Sequence, residues 1–278
     1  MAISNFISTV WGETLAGALD NRYVGVANCN RSYEGDIREK GAVVKICGVG
    51  DVTVGDYTKN TDMSTPQTLD DAARELHIDQ AKYFNFQIDD IDRAQSSPAL
   101  MNEAMRAAAA ALANTADSYV FGLYDEAEKT IENDSVTADN VIDTLIAGRT
   151  ALYSAGVTDA SDIVLEVSPE VAALILKAKI VLSTDNGEAL EAGCLGSLGG
   201  CKIYVSSNIA KTTEGGKSRH MCLARSKRAI AFAEQLSEID AYRPEKRFAD
   251  AVKGLHLYGA KTIFPEEMVV LNLGIATA

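Results

Sequence analysis

The apolar positions change their repeat several times along the chain, and the longest stretch with a single repeat runs from Ser97 to Ile131. Met101, Met105, Ala108, Leu112, Thr115, Tyr119 and Leu123 recur there at steps of three and four, the spacing of one helix face. Ser97 is placed to cap this helix and Pro98 to fill its first turn, where a missing N–H costs nothing. About 34 helical residues at a rise of ~1.5 Å would make a rod of roughly 50 Å. Its centre, Ala107 to Ala111, carries little side chain, so a neighbouring element comes close there.

Ahead of this helix, residues 5–20 place Phe6, Val10, Trp11, Leu15 and Leu19 along one side, which predicts a short amphipathic helix. From Tyr33 the repeat becomes alternating and glycine-punctuated. Ala42, Val44 and Ile46 read as a strand, and Val52 and Val54 as its return across the turn GVGD. The polar run DYTKNTDMSTPQTLDD follows, of a kind that is functional, disordered or held by a partner. Leu76 with Ile78, then Phe84, Phe86 and Ile88, predict two more strands.

After the long helix, Val141, Leu145, Ile146 and Leu152 predict a second helix ending at Gly156. DIVLEV reads as a strand, Ser168 and Pro169 open a third helix, and CKIYVSS reads as another strand. This alternation predicts an α/β subdomain from about 137 to 224. The remainder reads as strands turning at Pro244, Gly254, Gly259 and Pro265.

Composition narrows the function classes. The chain has 278 residues, 47% of them hydrophobic, enough for one large core or two modest ones. No window approaches the ~18 consecutive apolar residues of a membrane helix, and the first residues lack the basic and apolar regions of a signal peptide. Both point to a protein kept in the cytoplasm where it is made. A formal charge of −13 opposes nucleic-acid phosphate, which argues against a dedicated DNA binder but allows a protein that surrounds DNA without gripping it.

Candidate chemistry is sparse. Cys29, Cys47, Cys194, Cys201 and Cys222 show no zinc spacing, and their odd number fits no simple disulfide framework. His77, His220 and His256 lie in predicted strands and read as structural. No GxSxG, HExxH or phosphate-loop motif occurs, and GCLGSLGG, followed by a strand, reads as a tight turn. Thr184 to Leu190 reads as a turn rather than a calcium loop. Asp79, Asp89, Asp90 and Asp92 are the best metal candidates, although acids ahead of a helix also suit its positive end.

Three stretches carry a resemblance over nearly the whole chain: LHIDQAKYFNFQIDDIDRAQS, GSLGGCKIYVSSNI and RSKRAIAFAEQLSEIDAYRPEKRFADAVKGLHLYGAKTIFPE. They are similar to major capsid proteins of tailed double-stranded DNA bacteriophages, the Hong Kong 97-type fold shared with encapsulins, in the branch with a separate scaffolding protein. The resemblance implies an α+β fold with an N-terminal arm (1–32) and an extended β-hairpin loop (33–79). It further implies a peripheral β-sheet domain with the long spine helix (80–136), an α/β axial domain (137–224) and closing strands of both domains (225–278).

It also implies a structural protein without catalytic residues, cofactor or metal, which forms pentamers and hexamers of an icosahedral head. That head encloses double-stranded DNA without sequence-specific binding, and its partners are the separate scaffolding protein and a portal protein, with no membrane. The extended loop would lie over an adjacent subunit, with Arg38, Glu39, Lys40, Asp51, Asp56 and Lys59 as charged contacts. Met101, Met105, Ala108 and Leu112 would pack the spine helix. The chain begins almost at the arm, which favours a separate scaffold over a cleaved fused one, and no motif places a lysine–asparagine crosslink. An encapsulin-like compartment shell is the alternative on the same fold. A small α/β enzyme built on 137–224 is the alternative from another class.

Overall fold

The computed structural model describes residues 15, 17–19, 22–33, 43–49, 56, 59–60, 62, 71–89, 100–178, 194–214, 217–245 and 248–275. In chain order the strands and helices are β1 Val43–Val49, β2 Asp71–His77, β3 Gln80–Asp89, α1 Leu100–Gly122, β4 Lys129–Val136, α2 Val141–Ser154, β5 Ile163–Val167 and α3 Pro169–Lys177. They continue with β6 Cys194–Leu198, β7 Cys201–Val205, β8 Lys211–Glu214, β9 Lys217–Ser226, β10 Ile230–Tyr242, β11 Ala249–Thr262 and β12 Met268–Ile275.

The largest sheet has the order β4-β12-β9-β5-β7-β6, with β8 also paired to β9. The pairs β12–β4 and β5–β7 are parallel, and the others are antiparallel. Every residue of β5 is buried, as in a strand covered on both faces. Helix α2 packs where Gly148 faces the side chains of Leu271 and Ala224; a Cβ there would stand 3.0 Å from Leu271 Cδ2. Gly156, at φ +92°, ends α2, with the Val157 N–H donating to Leu152 C=O and the Gly156 N–H to Tyr153 C=O. Ser168 caps α3, its Oγ accepting from the Val171 N–H at 3.4 Å with Pro169 in the first turn. In GCLGSLGG the turn is confined to Gly199 and Gly200, whose φ of +58° and +91° match the two positive φ values of a two-residue hairpin turn.

The smaller sheet has the order β10-β11-β3. Helix α1 crosses one face of it. The Tyr119 ring meets Tyr258 edge-on at 5.6 Å, and Tyr258 stacks on Phe232 at 5.9 Å. Besides the passage from β3 through α1 to β4, the chain crosses directly between the two sheets from β9 into β10 and from β11 into β12. The crossings are tied together by Ile263 N–H to Ala229 C=O at 2.7 Å, and by Glu267, which accepts from Ser226 Oγ at 2.5 Å and from Arg228.

Two expected elements differ. Helix α1 stops at Gly122, passes through a 3-10 turn at Leu123–Glu126 and gives way to β4, so its described length is 23 residues, or about 35 Å. Tertiary partners account for the change: Lys261 Nζ and the Thr262 N–H donate to Glu126 at 2.5 and 3.3 Å, and Lys129, Thr130 and Ile131 find backbone partners along β12. Ser97, Pro98 and the side chain of Met101 lie outside the described residues. The buried stripe is also rotated. Met105, Ala109, Leu112, Ala113, Ala116, Asp117, Val120 and Phe121 are buried, Ala108 and Tyr119 are half-buried, and Thr115 is exposed. The helix touches the small sheet and the N-terminal segment together, which widens its buried arc.

The second difference concerns β1, which pairs antiparallel with β2, Val43 opposite His77 through Val49 opposite Asp71. The expected return at Val52 and Val54 lies outside the described residues, as does Thr184 to Leu190. The non-local pairing buries Val44, Ile46, Leu76 and Ile78 together in a second small core against Ala231, Ala233, Leu257 and Ile263.

Candidate functional site

The N-terminal segment 22–33 threads between the two sheets and is held by three carboxylates from three elements. Asp117 of α1 accepts the N–H groups of Val24 and Val26, both at 2.9 Å. Burial pushes its carboxyl up to about 6, against the pull of those same N–H groups. Glu166 of β5 receives Arg225 of β9 through two parallel bonds of 2.9 and 2.8 Å, with both side chains fully buried. The same guanidinium donates to Asn28 C=O at 2.8 Å and Gly25 C=O at 3.0 Å, and Asn28 Nδ2 donates to Val24 C=O at 2.9 Å. Burial raises the Glu166 carboxyl and the neighbouring charge of Arg225 opposes it.

Glu234 of β10 is the third. Tyr23 donates its hydroxyl to Oε2, Arg31 Nη2 donates to Oε1 at 2.6 Å, and His256 Nε2 lies 2.8 Å from Oε2. Burial acts to raise this carboxyl, but the bonds from His256 and Tyr23 and the charge of Arg31 hold it below the usual glutamate range. Nothing in the spacing of these residues announces the network. The available signal is chemical: Glu166 in DIVLEV and Arg225 in HMCLARS are single charges inside apolar strands, and a buried charge requires a partner.

The segment expected to form the extended loop has its two described ends, residues 30–33 and 76–78, next to this network. Asn30 forms a parallel bridge to β10, its N–H donating to Ile230 C=O at 2.9 Å and its C=O accepting the Phe232 N–H at 3.0 Å. On the return, Ile78 is fully buried and the backbone of His77 lies against Gly259 of β11. Of the proposed loop contacts, Asp56 and Lys59 are exposed, while Arg38, Glu39, Lys40 and Asp51 lie outside the described residues. Met105 and Leu112 are in the main core, with Ala108 packed at its margin.

The other candidates resolve differently. Asp79 and Asp89 bracket the ten residues of β3, about 30 Å apart at ~3.3 Å per residue, so they share no cation. Asp79 instead accepts from Tyr119 Oη at 3.3 Å and Gln80 Nε2 at 3.1 Å; Asp90 and Asp92 lie outside the described residues. Among the described residues, no group of three His, Cys, Asp or Glu side chains is placed to hold a metal ion. His77 is exposed beside Glu75, His220 is buried with Nδ1 3.8 Å from Glu170, and His256 belongs to the Glu234 network. Burial lowers the His220 pKa and favours its neutral form. Cys29, Cys201 and Cys222 are buried free thiols. Among the described residues no helix is long and apolar enough to cross a membrane.

One face of the small sheet is covered at one end by β1 and β2 and left open by the described residues at the other. Tyr83 and Leu255 are cross-strand partners there, 76% and 36% exposed, and Phe248 is 83% exposed at the start of β11. Tyr242 Oη donates to Asn85 at 3.2 Å, and Lys253 sits 3.3 Å from Asp240 and 5.7 Å from the Tyr242 ring centre.

A sequence model described as phage capsid protein matches residues 72–271, which spans β2 through most of β12. The chain belongs to this phage capsid protein family. Its structural relatives agree. A protein of Mycobacterium phage Che8 is 29% identical, covers 90% of each chain and superposes with a TM-score of 0.70. The capsid of cyanophage P-SCSP1u is 15% identical over 90% of this chain and 86% of its own, with a TM-score of 0.67. The holo-SrpI encapsulin complex from Synechococcus elongatus PCC 7942 is 14% identical over 85% of this chain and 83% of its own, with a TM-score of 0.57, a likeness of fold. No curated protein matches.

Among the described residues, buried Asp117, Glu166 and Arg225 are spent on one another and on the backbone of residues 22–33, while buried Glu267 accepts from Ser226 and Arg228 at the crossings. The role of this capsid subunit is structural, in the wall of a phage head.

Proposed function

We propose that copies of this major capsid protein form pentamers and hexamers that close into an icosahedral head around double-stranded phage DNA, without catalysis. The observation that carries this is the exposed group of Tyr83, Leu255 and Tyr242 on the small sheet, with Phe248 exposed just ahead of β11, on a chain of the capsid family, a surface that the described residues leave uncovered. Closed shells need several different contact surfaces on each copy, and this face is one of them. A second is the extended loop, 33–79, which reaches an adjacent subunit through Arg38, Glu39, Lys40, Asp51, Asp56 and Lys59. Exposed ion pairs of this kind contribute about 0 to 1 kcal/mol each, weak enough for misplaced copies to leave before closure.

The division into an arm, an extended loop, a peripheral domain with the spine helix (80–136), an axial domain (137–224) and closing strands (225–278) belongs to the same proposal. So do assembly in the host cytoplasm and the partnership with a separate scaffolding protein and a portal, which rest on the family resemblance. The charge of −13 supports enclosure of DNA without sequence-specific grip, because the wall repels phosphate. Electron microscopy with light scattering on the protein, alone and with its scaffold, tests the assembly. Closed shells or five- and six-membered rings are expected, and Phe248→Ser with Tyr83→Ser lowers their yield while leaving the subunit folded. A monomer under every condition overturns the proposal.

A further inference from the structure

The two roots of the extended loop meet on one small area of the β10–β11 ladder. The outgoing root is tied at Asn30 by its backbone bridge to β10 and at Arg31 by its ion pair to Glu234. Tyr33, next along, packs against the second small core. The returning root is tied by the burial of Leu76 and Ile78 against Ala231, Ala233 and Leu257, and by Arg74, which donates to Ile263 C=O. In the ladder, Ala233 is opposite Gly259 and Glu234 is opposite Tyr258, so the outgoing and returning anchors are cross-strand neighbours.

Gly259 is the decisive position of the seat. A Cβ there would overlap the carbonyl oxygen of His77 and stand 3.0 Å from the His77 carbonyl carbon and 3.2 Å from Ile78 Cα. All three are backbone atoms, so no rotamer change relieves the overlap. Only glycine lets β2 lie directly on β11 before the chain turns into β3. Glu234 acts from the other side, where one carboxylate joins Tyr23 and Arg31 of the outgoing strand to His256 of the ladder.

We propose that Gly259 and Glu234 are positioning residues that fix the angle at which the extended loop leaves the subunit, so that its reach towards a second copy is set by the subunit's own fold and not acquired on contact. This rests on the proposed role of the loop in joining neighbouring copies. Both roots are gripped by the same two strands, and the loop therefore moves with the small sheet as one body.

The test uses the full chain with Gly259→Ala, Glu234→Gln and Arg31→Ala. Backbone hydrogen exchange of β1 and β2, thermal melting and shell yield are read together. Expected are faster exchange in residues 43–49 and 71–77, unchanged exchange in the large sheet, and a loss of closed shells. If Gly259→Ala fails to fold, Glu234→Gln and Arg31→Ala carry the test, since each removes only side-chain bonds at the seat. Wild-type exchange at the loop roots in all variants that fold overturns the inference, whatever the shell yield. A chain lacking residues 50–70 serves as the control: normal shells from it count against the loop's role between copies, while the exchange readout still judges the seat.

Discussion

Arg225 and Glu166 are a pair in which each makes the other tolerable. Both are fully buried, and the guanidinium also donates to the backbone carbonyls of Asn28 and Gly25 in the N-terminal segment, the second of which accepts the Asn28 N–H as well. Arg225→Met leaves an uncompensated carboxylate and takes a donor from two backbone carbonyls, and we expect a loss of about 3 to 5 kcal/mol in urea unfolding. A loss below about 1 kcal/mol would show that the site relaxes around water. Asp117 predicts a pH effect of opposite sign to the usual carboxylate. Its pKa is raised to about 6 by burial, above the ~3.9 of an unfolded chain, so between these values the native state holds a proton that the unfolded state has released. Its contribution is therefore most favourable at low pH and is lost as pH rises through about 6. Relative to Asp117→Asn, the wild-type chain should gain about 1 kcal/mol between roughly pH 7 and pH 5. A difference that stays constant with pH would mean Asp117 remains charged throughout that range.

At the scale of elements, helix α1 is instructive because its composition hides its orientation. Ala107 to Ala111 look alike in sequence, yet Ala109 is fully buried while Ala107 and Ala111 are exposed. Ala109→Phe therefore inserts a ring into a filled core and should cost about 1 to 3 kcal/mol. Ala111→Phe projects into solvent and should change stability by less than about 0.5 kcal/mol. Thermal melting of the two variants side by side decides the matter, and equal melting temperatures would contradict the rotated stripe. The small sheet offers a parallel case. The Phe84 ring lies over Gly254, its cross-strand partner, and stacks on Phe86 at 5.9 Å, so a glycine in mid-strand serves the packing of an aromatic pair.

At the scale of the whole molecule, two sheets, one long helix and one N-terminal segment meet where the chain crosses between the sheets. Loss of the Asp117 or Glu166 tie loosens both sheets, because the segment they hold packs on each, whereas loss of the Glu234 tie acts on the small sheet and the segment beside it. The proposed extended loop is different, since its described strands β1 and β2 pair with each other and pack on the small sheet through a separate small core. Deleting residues 50–70 should leave a subunit whose melting temperature is close to that of the full chain but which assembles poorly, as read by light scattering and microscopy. Normal closed shells from the deleted chain would remove the loop from the set of contacts between copies.

Much of the fold is legible in the chain itself because it rests on local physics. The cap at Ser168 and Pro169, the glycine ends at Gly156 and at Gly199–Gly200, the alternation of β3 and the three-four spacing of α1 are each set by residues within a turn or two of one another. The family is legible as well, in words such as LHIDQAKYFNFQIDDIDRAQS. The end of α1 was not, and the pairing of β1 with β2 was legible only through the hairpin that the resemblance implies over 33–79. Glu126 leaves the helix for Lys261 and Thr262, and Val44 and Ile46 pair beside Leu76 across a long loop, because burial shared with distant residues outweighs the local preference. The three-carboxylate network was hidden for the same reason: Asp117, Glu166 and Glu234 lie 91, 138 and 211 positions from the residues they hold. Sequence by itself determined most of the described helix and strand segments, with β4 at the end of α1 as the exception, and the family to which they belong. Only the tertiary structure decided which side of the helix is inside and where the loop is seated, since those depend on surfaces that exist only once the chain has folded.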